Sequence, residues 1–136
     1  MADVKELLER VRTIAVVGFS TDPDKTAHRI PRQLMDAGYH VIPVHRTAAE
    51  IAGLKAYRTL ADIPEPVDLV DVFRPSPEAA EVTRQAIASG ANGVWLQLGI
   101  ASPQARMLAG EAGLDYVEDL CIGVEVRRYG ITRRDR

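Results

Sequence analysis

Strand-like and helix-like stretches alternate along the whole chain, and this alternation limits the folds that it can adopt. The strand-like runs are short and rich in β-branched residues, and the first of them, at residues 14–17, is apolar at every position. A run of this kind is typical of a strand that is buried on both faces. Runs with apolar residues at helical spacing lie between the strands. The pattern therefore predicts βαβ units and a parallel sheet.

The predicted elements are spread over all 136 residues. Strands are predicted at residues 14–17, 41–44, 67–73, 93–98 and 114–117. Helices are predicted near the N-terminus, after the first strand, and at residues 78–89 and 103–112, while residues 121–129 form either a last helix or an extended tail. Residues 47–65 are predicted to be a connector with helical turns at 48–51 and 60–63. We expect an α/β fold: a single Rossmann-like domain over residues 1–136, with a five-stranded, mainly parallel sheet and helices on both faces.

The first strand ends at Gly18, and a polar loop leads from it into the first crossover helix. A phosphate-binding turn begins in this way, because the N–H groups and the dipole of a helix N-terminus favour an anion. Ser20 and Thr21 can donate to a phosphate or only close the turn, and Lys25 offers a point charge at the helix start. Phe19 belongs to the same candidate loop. Only the first glycine of the G-x-G-x-x-G fingerprint is present, so an ordinary strand-end turn is the alternative.

The second strand ends with Val44, His45 and Arg46. NAD-binding domains usually have an Asp or Glu at this point, which binds the ribose hydroxyls. A guanidinium group instead suits a phosphate, which it binds through two parallel hydrogen bonds. The sequence thus predicts a pocket for a nucleotide with an extra phosphate on its ribose, unless Arg46 is only a surface residue. His45 is interpreted as a backbone-bonding loop residue rather than a catalyst.

Two further strand ends provide candidate ligand contacts, because the loops at the carboxyl ends of parallel strands lie together. Phe73 ends the third strand and can cover an adenine ring or pack under the next helix. Its neighbour Arg74 can bind a phosphate or pair with an acidic side chain. Gln97 and Gly99, at the end of the fourth strand, supply a side-chain amide and an unobstructed backbone.

The sequence has no recognisable catalytic constellation. The three histidines have no cysteine or carboxylate at the spacing of a zinc site. The nucleophile-elbow and Walker motifs are absent. Cys121, the single cysteine, follows two acidic residues that disfavour a thiolate, so it is interpreted as a structural residue rather than a nucleophile. We therefore expect a pocket that binds a ligand without catalysis of its own.

Charge and composition argue against several classes of partner. The net charge is −2, whereas a nucleic-acid-binding domain is normally strongly basic. No apolar stretch is long enough to span a bilayer. A lone cysteine suits a reducing compartment, and the cytoplasm is the expected location. The sequence leaves open whether the chain forms a homodimer or binds another protein.

Several segments, taken together, match a known family over nearly the whole chain. They read Val17-Gly-Phe-Ser with Lys25, Gly38-Tyr-His-Val-Ile-Pro-Val, Ile51-Ala-Gly-Leu-Lys-Ala-Tyr, Asp62-Ile-Pro, Val67-Asp-Leu-Val-Asp-Val-Phe-Arg, Val94-Trp-Leu-Gln-Leu-Gly-Ile and Glu118-Asp-Leu-Cys. In these segments the chain resembles the small, stand-alone CoA-binding domain proteins, which are similar in fold to the N-terminal domain of the succinyl-CoA synthetase alpha subunit. One segment differs, because the family commonly has Val-Asn-Pro where this chain has Val44, His45 and Arg46.

The resemblance implies that the ligand is CoA or an acyl-CoA, bound non-covalently by a carrier, sensor or regulatory protein. It implies that the diphosphate lies near residues 18–21, the phosphorylated ribose near residues 44–46, and the adenine near Phe73. The other domains of the synthetase have no counterpart in this sequence, so ligase activity is not implied. Two alternatives stay open, namely a small NADP(H)-binding reductase and a protein-interaction module that has lost its ligand.

Overall fold

The computed structural model of the chain describes residues 2–133, which contain seven strands and five α-helices. The strands are β1 (Thr13–Val17), β2 (His40–Val44), β3 (Glu50–Ile51), β4 (Leu54–Lys55), β5 (Leu69–Val72), β6 (Gly93–Leu96) and β7 (Asp115–Val117). The helices are α1 (Val4–Arg10), α2 (Thr26–Asp36), α3 (Ala79–Ala88), α4 (Pro103–Glu111) and α5 (Ile122–Arg128). The last of them shows that the C-terminal segment is helical rather than an extended tail. No helix within residues 2–133 is both long and apolar enough to cross a membrane.

Five of the strands form one parallel sheet in the order β2-β1-β5-β6-β7. The strands β5 and β6 are buried at every residue, because helices cover both faces of the sheet. On one face α1, α2 and α5 pack through Leu7, Leu34 and Ile122. On the other face α3 and α4 pack through Ala86 and Ala105. The predicted Rossmann-like α/β fold is confirmed, and this sheet is parallel throughout.

The order of the strands changes direction between β1 and β5. From β1 the chain crosses to β2 at one edge of the sheet, and it then returns to the other side of β1 to form β5. The connections after β1 and β5 consequently diverge, and a crevice opens between them at the carboxyl ends of the strands. Doubly wound sheets bind their ligands at this point.

β2 lies at the edge of the sheet, and a later segment covers part of its outer side. The Tyr57 N–H donates to the Pro43 carbonyl (2.9 Å), and the His45 N–H donates to the Tyr57 carbonyl (2.8 Å). Pro43 suits this edge strand, since it has no N–H that a further strand would need. The Tyr57 segment therefore closes the sheet beside β2 and brings Arg58 and Thr59 to the carboxyl end of that strand.

The predicted helical turn at residues 48–51 was wrong. Residues 50–55 form a short antiparallel hairpin of β3 and β4. Its two turn residues, Ala52 (φ 54°) and Gly53 (φ 79°), both have left-handed backbone. Two consecutive left-handed residues are what a type I′ turn requires, and Asn-Gly usually supplies them. Because Ala occupies the first position, the sequence carried no hairpin signal. The second predicted turn is present as a 3₁₀ turn at Leu60–Asp62.

Candidate ligand-binding cleft

A cleft of about 730 Å³ lies at the carboxyl ends of β1, β2 and β5, where the strand order changes direction. Gly18 at the end of β1 and Val44 at the end of β2 line it. Arg46, Arg58 and Arg74 line it from three different segments of the chain. This space, called the first cleft, therefore combines the predicted position with a concentration of guanidinium groups.

Gly18 has a backbone conformation and surroundings that a larger residue does not fit. Its φ is +91°, in the left-handed region. A Cβ atom at this position would lie 2.8 Å from the Phe73 carbonyl oxygen and 3.0 Å from Cδ of Arg74. The Gly18 N–H donates to the Val44 carbonyl (3.1 Å) and so joins the ends of β1 and β2. The end of β1 approaches the residues after β5 this closely because position 18 has no side chain.

The loop after β1 is held to α2 by two hydrogen bonds at Ser20. Its N–H donates to the Ala27 carbonyl (3.0 Å), and the His28 ring donates through Nδ1 to the Ser20 carbonyl (2.7 Å). The Ala27 carbonyl lacks its usual helical partner because Pro31, four residues later, has no N–H. Pro31 therefore leaves an acceptor on α2 that the loop uses.

The side chains of the predicted loop residues pack in the core, bond within the turn or face solvent. Phe19 is fully buried, and its ring meets the His28 ring edge-on with 5.4 Å between the centroids. The Ser20 hydroxyl accepts from the Asp22 N–H (3.0 Å) within the turn. Thr21 is exposed. None of the side chains of Phe19, Ser20 and Thr21 lines the first cleft, so this loop shapes the end of β1 rather than forming the wall of the cleft.

Two arginine side chains meet one carboxylate in the first cleft. Arg74 donates to Glu78 through Nε (3.1 Å) and Nη2 (2.9 Å), and Arg46 donates to Glu78 through Nη2 (3.2 Å). The Arg74 hydrogen bond, reinforced by the charges of Arg74 and Arg46, lowers the pKa of the Glu78 carboxyl. Glu78 therefore stays ionised and holds both guanidinium groups together. An anionic group of a ligand can take the same place or bind beside it.

His45 stabilises the turn that follows β2. Its Nδ1 accepts from the N–H groups of Thr47 (3.1 Å) and Ala48 (2.9 Å). Because a backbone N–H only donates, Nδ1 is unprotonated, and the neutral ring carries its proton on Nε2. The ring lines the first cleft and supports the segment that carries Arg46.

A second cavity, of about 710 Å³, adjoins the first cleft at Arg74, which lines both spaces. Lys25 and Phe73 line this second cavity and not the first cleft. The predicted adenine contact at Phe73 is thus separated from the predicted ribose contact at Arg46. Cys121 lines the second cavity as well.

Gln97 and Gly99, both predicted ligand contacts, have different positions. Gln97 is buried and lines the second cavity, and its Oε1 accepts from the Ile122 N–H (3.1 Å). Gly99 lines neither space. Its N–H donates to Oδ1 of Asp119 (2.7 Å), which ties the loop after β6 to the loop after β7.

Several residues of the first cleft were not identified from the sequence. Arg58 and Thr59 reach the cleft because Tyr57 is bonded to β2, and no local pattern announces that contact. Glu78 and Gln85 reach it from the start and the body of α3. The sequence did contain a signal for these two residues. The helix α3 follows β5, the strand beside β1, and a helix in that position begins at the crevice.

The groups at the two spaces suit the binding of an anionic, partly apolar ligand. Guanidinium and ammonium groups, one buried amide and one thiol are available. Within residues 2–133, no group of three or more His, Cys, Asp or Glu side chains is arranged to hold a metal ion.

A doubly wound parallel sheet with a glycine turn and clustered arginines at its switch point defines a Rossmann-like domain with a basic cleft. The chain belongs to the CoA binding domain family, whose sequence model matches residues 12–127.

Three similar proteins differ in how closely they match this chain. The uncharacterized protein YneT of Bacillus subtilis (strain 168) is 40% identical over 123 residues, which are 90% of this chain and 91% of YneT. The solved structure of a hypothetical protein from Pyrococcus horikoshii OT3 has a TM-score of 0.90 and 36% identity, and the match covers 93% of this chain and 89% of that one. The alpha subunit of the ADP-forming acetate–CoA ligase II of Pyrococcus furiosus is 33% identical over 84 residues. That match covers 61% of this chain and 18% of the ligase subunit, so it concerns one part of that subunit.

Proposed function

We propose that this protein binds CoA or an acyl-CoA non-covalently, as a carrier, sensor or regulatory protein, and that it catalyses no reaction of its own. The observation that carries the proposal is the convergence of Arg46 and Arg74 on one point of the first cleft. Membership in the CoA binding domain family supports CoA as the ligand. The similarity to part of an acetate–CoA ligase subunit supports the same choice.

The ribose phosphate of CoA is proposed to bind between Arg46 and Arg74, where both guanidinium groups now donate to Glu78. A phosphate offers more acceptor oxygens and more negative charge than a carboxylate, and it accepts two parallel bonds from each guanidinium group. Arg58, which lines the same cleft, adds a third positive charge. Val44 and Val82 give the cleft apolar surface that suits the adenine.

The rest of the ligand is proposed to pass the Gly18 turn and Arg74 and to enter the second cavity. Lys25 lines that cavity and offers a positive charge for the diphosphate. Phe73 then contacts the pantetheine arm rather than the adenine, because it lines the second cavity. Gln97 is available there to donate to an amide carbonyl of the arm.

The proposal is tested by titration calorimetry with CoA, dephospho-CoA, NADP and NAD in reducing buffer. We expect CoA to bind more tightly than dephospho-CoA, because only CoA carries the phosphate that the two arginines would bind. Equal affinities would remove the role of the arginine pair. Tighter binding of NADP than of CoA would favour a reductase, and no binding of any nucleotide would favour an interaction module.

The variant Arg46→Ala tests the same phosphate contact from the side of the protein. We expect it to weaken CoA binding by about 1–3 kcal/mol, the usual contribution of a hydrogen bond to a charged group, and to change dephospho-CoA binding little. Arg10→Ala is the matched control, since Arg10 is also in a surface ion pair, with Asp115 at 3.1 Å, outside both spaces. An equal loss for CoA and dephospho-CoA in Arg46→Ala would contradict the assignment.

A further inference from the structure

The second cavity contains a reactive group that the proposed function does not use. Cys121 is the only cysteine of the chain, and it lines this cavity while half-buried. Arg74 lines both this cavity and the first cleft, so one extended ligand can occupy both spaces. A ligand with its nucleotide in the first cleft would therefore bring the other end of its chain toward the Cys121 thiol.

Gln97 gives the second cavity a further group that can bind a ligand. Its side chain is only 4% exposed. Its Oε1 accepts from the Ile122 N–H, which fixes the orientation of the amide, since that N–H can only donate. Its Nε2 has no hydrogen-bond partner within residues 2–133, although the residue lines the cavity. The nitrogen is not fully enclosed by protein and faces the cavity, where it can donate to a ligand acceptor such as an amide carbonyl.

The same hydrogen bond places that acceptor site beside Cys121, because Ile122 is the next residue in the chain. The loop after β6, which begins with Gln97, also supplies the apolar side chains of Leu98 and Ile100 to the cavity. Asp119 holds this loop in place, since its Oδ1 accepts from the Gly99 N–H (2.7 Å) and its N–H donates to the Ile100 carbonyl (3.1 Å). The cavity thus offers apolar walls, one amide donor and one thiol, which suits an uncharged arm with amide groups and a sulfur at its end.

We infer that Cys121 is a modification site, at which the protein forms a mixed disulfide with CoA by exchange with CoA disulfide. This inference rests on the proposed function, because the nucleotide must first bind in the cleft. It goes beyond that function, because the bound CoA becomes covalently attached.

The exchange is balanced without any other reagent. Cys121 loses its proton to water, and its Sγ thiolate attacks one sulfur of CoA disulfide. A bond forms between Sγ and that sulfur, and the original S–S bond breaks. The second CoA leaves as a thiolate with the electron pair of the broken bond and takes up a proton. CoA disulfide is the oxidant, and an excess of a free thiol reverses the reaction.

The reaction is measured on the full-length, reduced protein by intact-mass spectrometry, with the initial rate followed against disulfide concentration. Three disulfides are compared. CoA disulfide carries nucleotide and arm, pantethine carries the arm without the nucleotide, and bis(2-hydroxyethyl) disulfide carries neither. Because the chain has a single cysteine, the mass of one added CoA assigns the site without a variant.

We expect one adduct, a rate that saturates with CoA disulfide, and a rate at least about tenfold higher than with pantethine, because binding of the nucleotide raises the local concentration of the disulfide. Arg46→Ala should slow the reaction with CoA disulfide and leave that with pantethine unchanged, while Arg10→Ala should change neither. No adduct, or equal and non-saturating rates for all three disulfides, would overturn the inference. Calorimetry with reduced CoA tests the proposed function separately, so binding without an adduct would refute the modification site alone.

Discussion

Asp71 lies in the middle of β5, where it is fully buried, and neither of its carboxylate oxygens has a hydrogen-bond partner within residues 2–133. Burial raises the pKa of this carboxyl well above the ordinary value of 3.8. The folded state therefore binds the Asp71 proton more tightly than the unfolded chain does. The contribution of this group to the free energy of unfolding is complete at low pH, and it falls as the pH rises from the ordinary pKa toward the raised one.

The variant Asp71→Asn keeps the size of this side chain and cannot ionise. We expect its free energy of unfolding to gain on that of the wild type as the pH rises, by about 1.4 kcal/mol for each pH unit between the ordinary and the raised pKa. Urea unfolding of both proteins at pH 4 and pH 7 measures this difference. A constant offset that does not depend on pH would contradict the prediction.

Gly18 is constrained both by its left-handed backbone and by the close approach of Phe73. A comparison with Gly90 separates these two effects. Both have left-handed backbone, with φ of +91° and +82°, but a Cβ meets the Phe73 carbonyl at Gly18 and nothing within 4 Å at Gly90. We expect Gly90→Ala to cost about 1 kcal/mol from backbone strain alone. Gly18→Ala should cost more and weaken CoA binding, as measured by urea unfolding and calorimetry. Equal costs and unchanged CoA binding would mean that the close approach at Gly18 is unimportant.

At the scale of elements, the loop between β1 and α2 depends on features that lie outside it. The acceptor left by Pro31 on α2 and the His28 ring both bind Ser20. The loop is therefore a rigid extension of the helix, and the end of β1 is fixed relative to α2.

Two variants of His28 test this rigidity. His28→Leu removes the hydrogen bond to the Ser20 carbonyl but keeps an apolar contact with Phe19, whereas His28→Asn keeps a donor near the position of Nδ1. We expect Leu to lower the free energy of unfolding by about 1–2 kcal/mol and to weaken CoA binding, and Asn to retain most of both. Denaturant unfolding and calorimetry make the comparison. If both variants lose the same amount of stability and of CoA affinity, ring packing rather than the hydrogen bond holds the loop.

The sequence predicted the elements of this fold better than the residues of its cleft, for a physical reason. Buried strands such as β1 and β6 are recognisable in the sequence as continuous apolar runs, and helix ends are recognisable from glycines. The hairpin of β3 and β4 was missed because Ala52 is not a usual left-handed residue. Arg58 was missed because its position depends on the contact of Tyr57 with β2, which no local pattern encodes, whereas Glu78 could have been found from the place of its helix after β5.

For the whole molecule, ligand binding and stability are linked. The first cleft is formed by the ends of β1, β2 and β5, which come together only in the folded state. A ligand that binds only the folded state stabilises it by about 2.7 kcal/mol when present at a hundred times its Kd. We expect CoA at that excess to raise the Tm by about 9 °C, as measured by scanning calorimetry. The same concentration of dephospho-CoA should raise it less. An identical shift for both compounds would contradict the role of the ribose phosphate.

The Tyr57 segment contributes both to the edge of the sheet and to the wall of the first cleft. It occupies hydrogen-bonding groups on the outer side of β2, and the next two residues line the first cleft. An unpaired margin of a sheet is a template on which another polypeptide can add itself. The Tyr57 segment thereby covers part of the margin of β2 that would otherwise be open to such an addition.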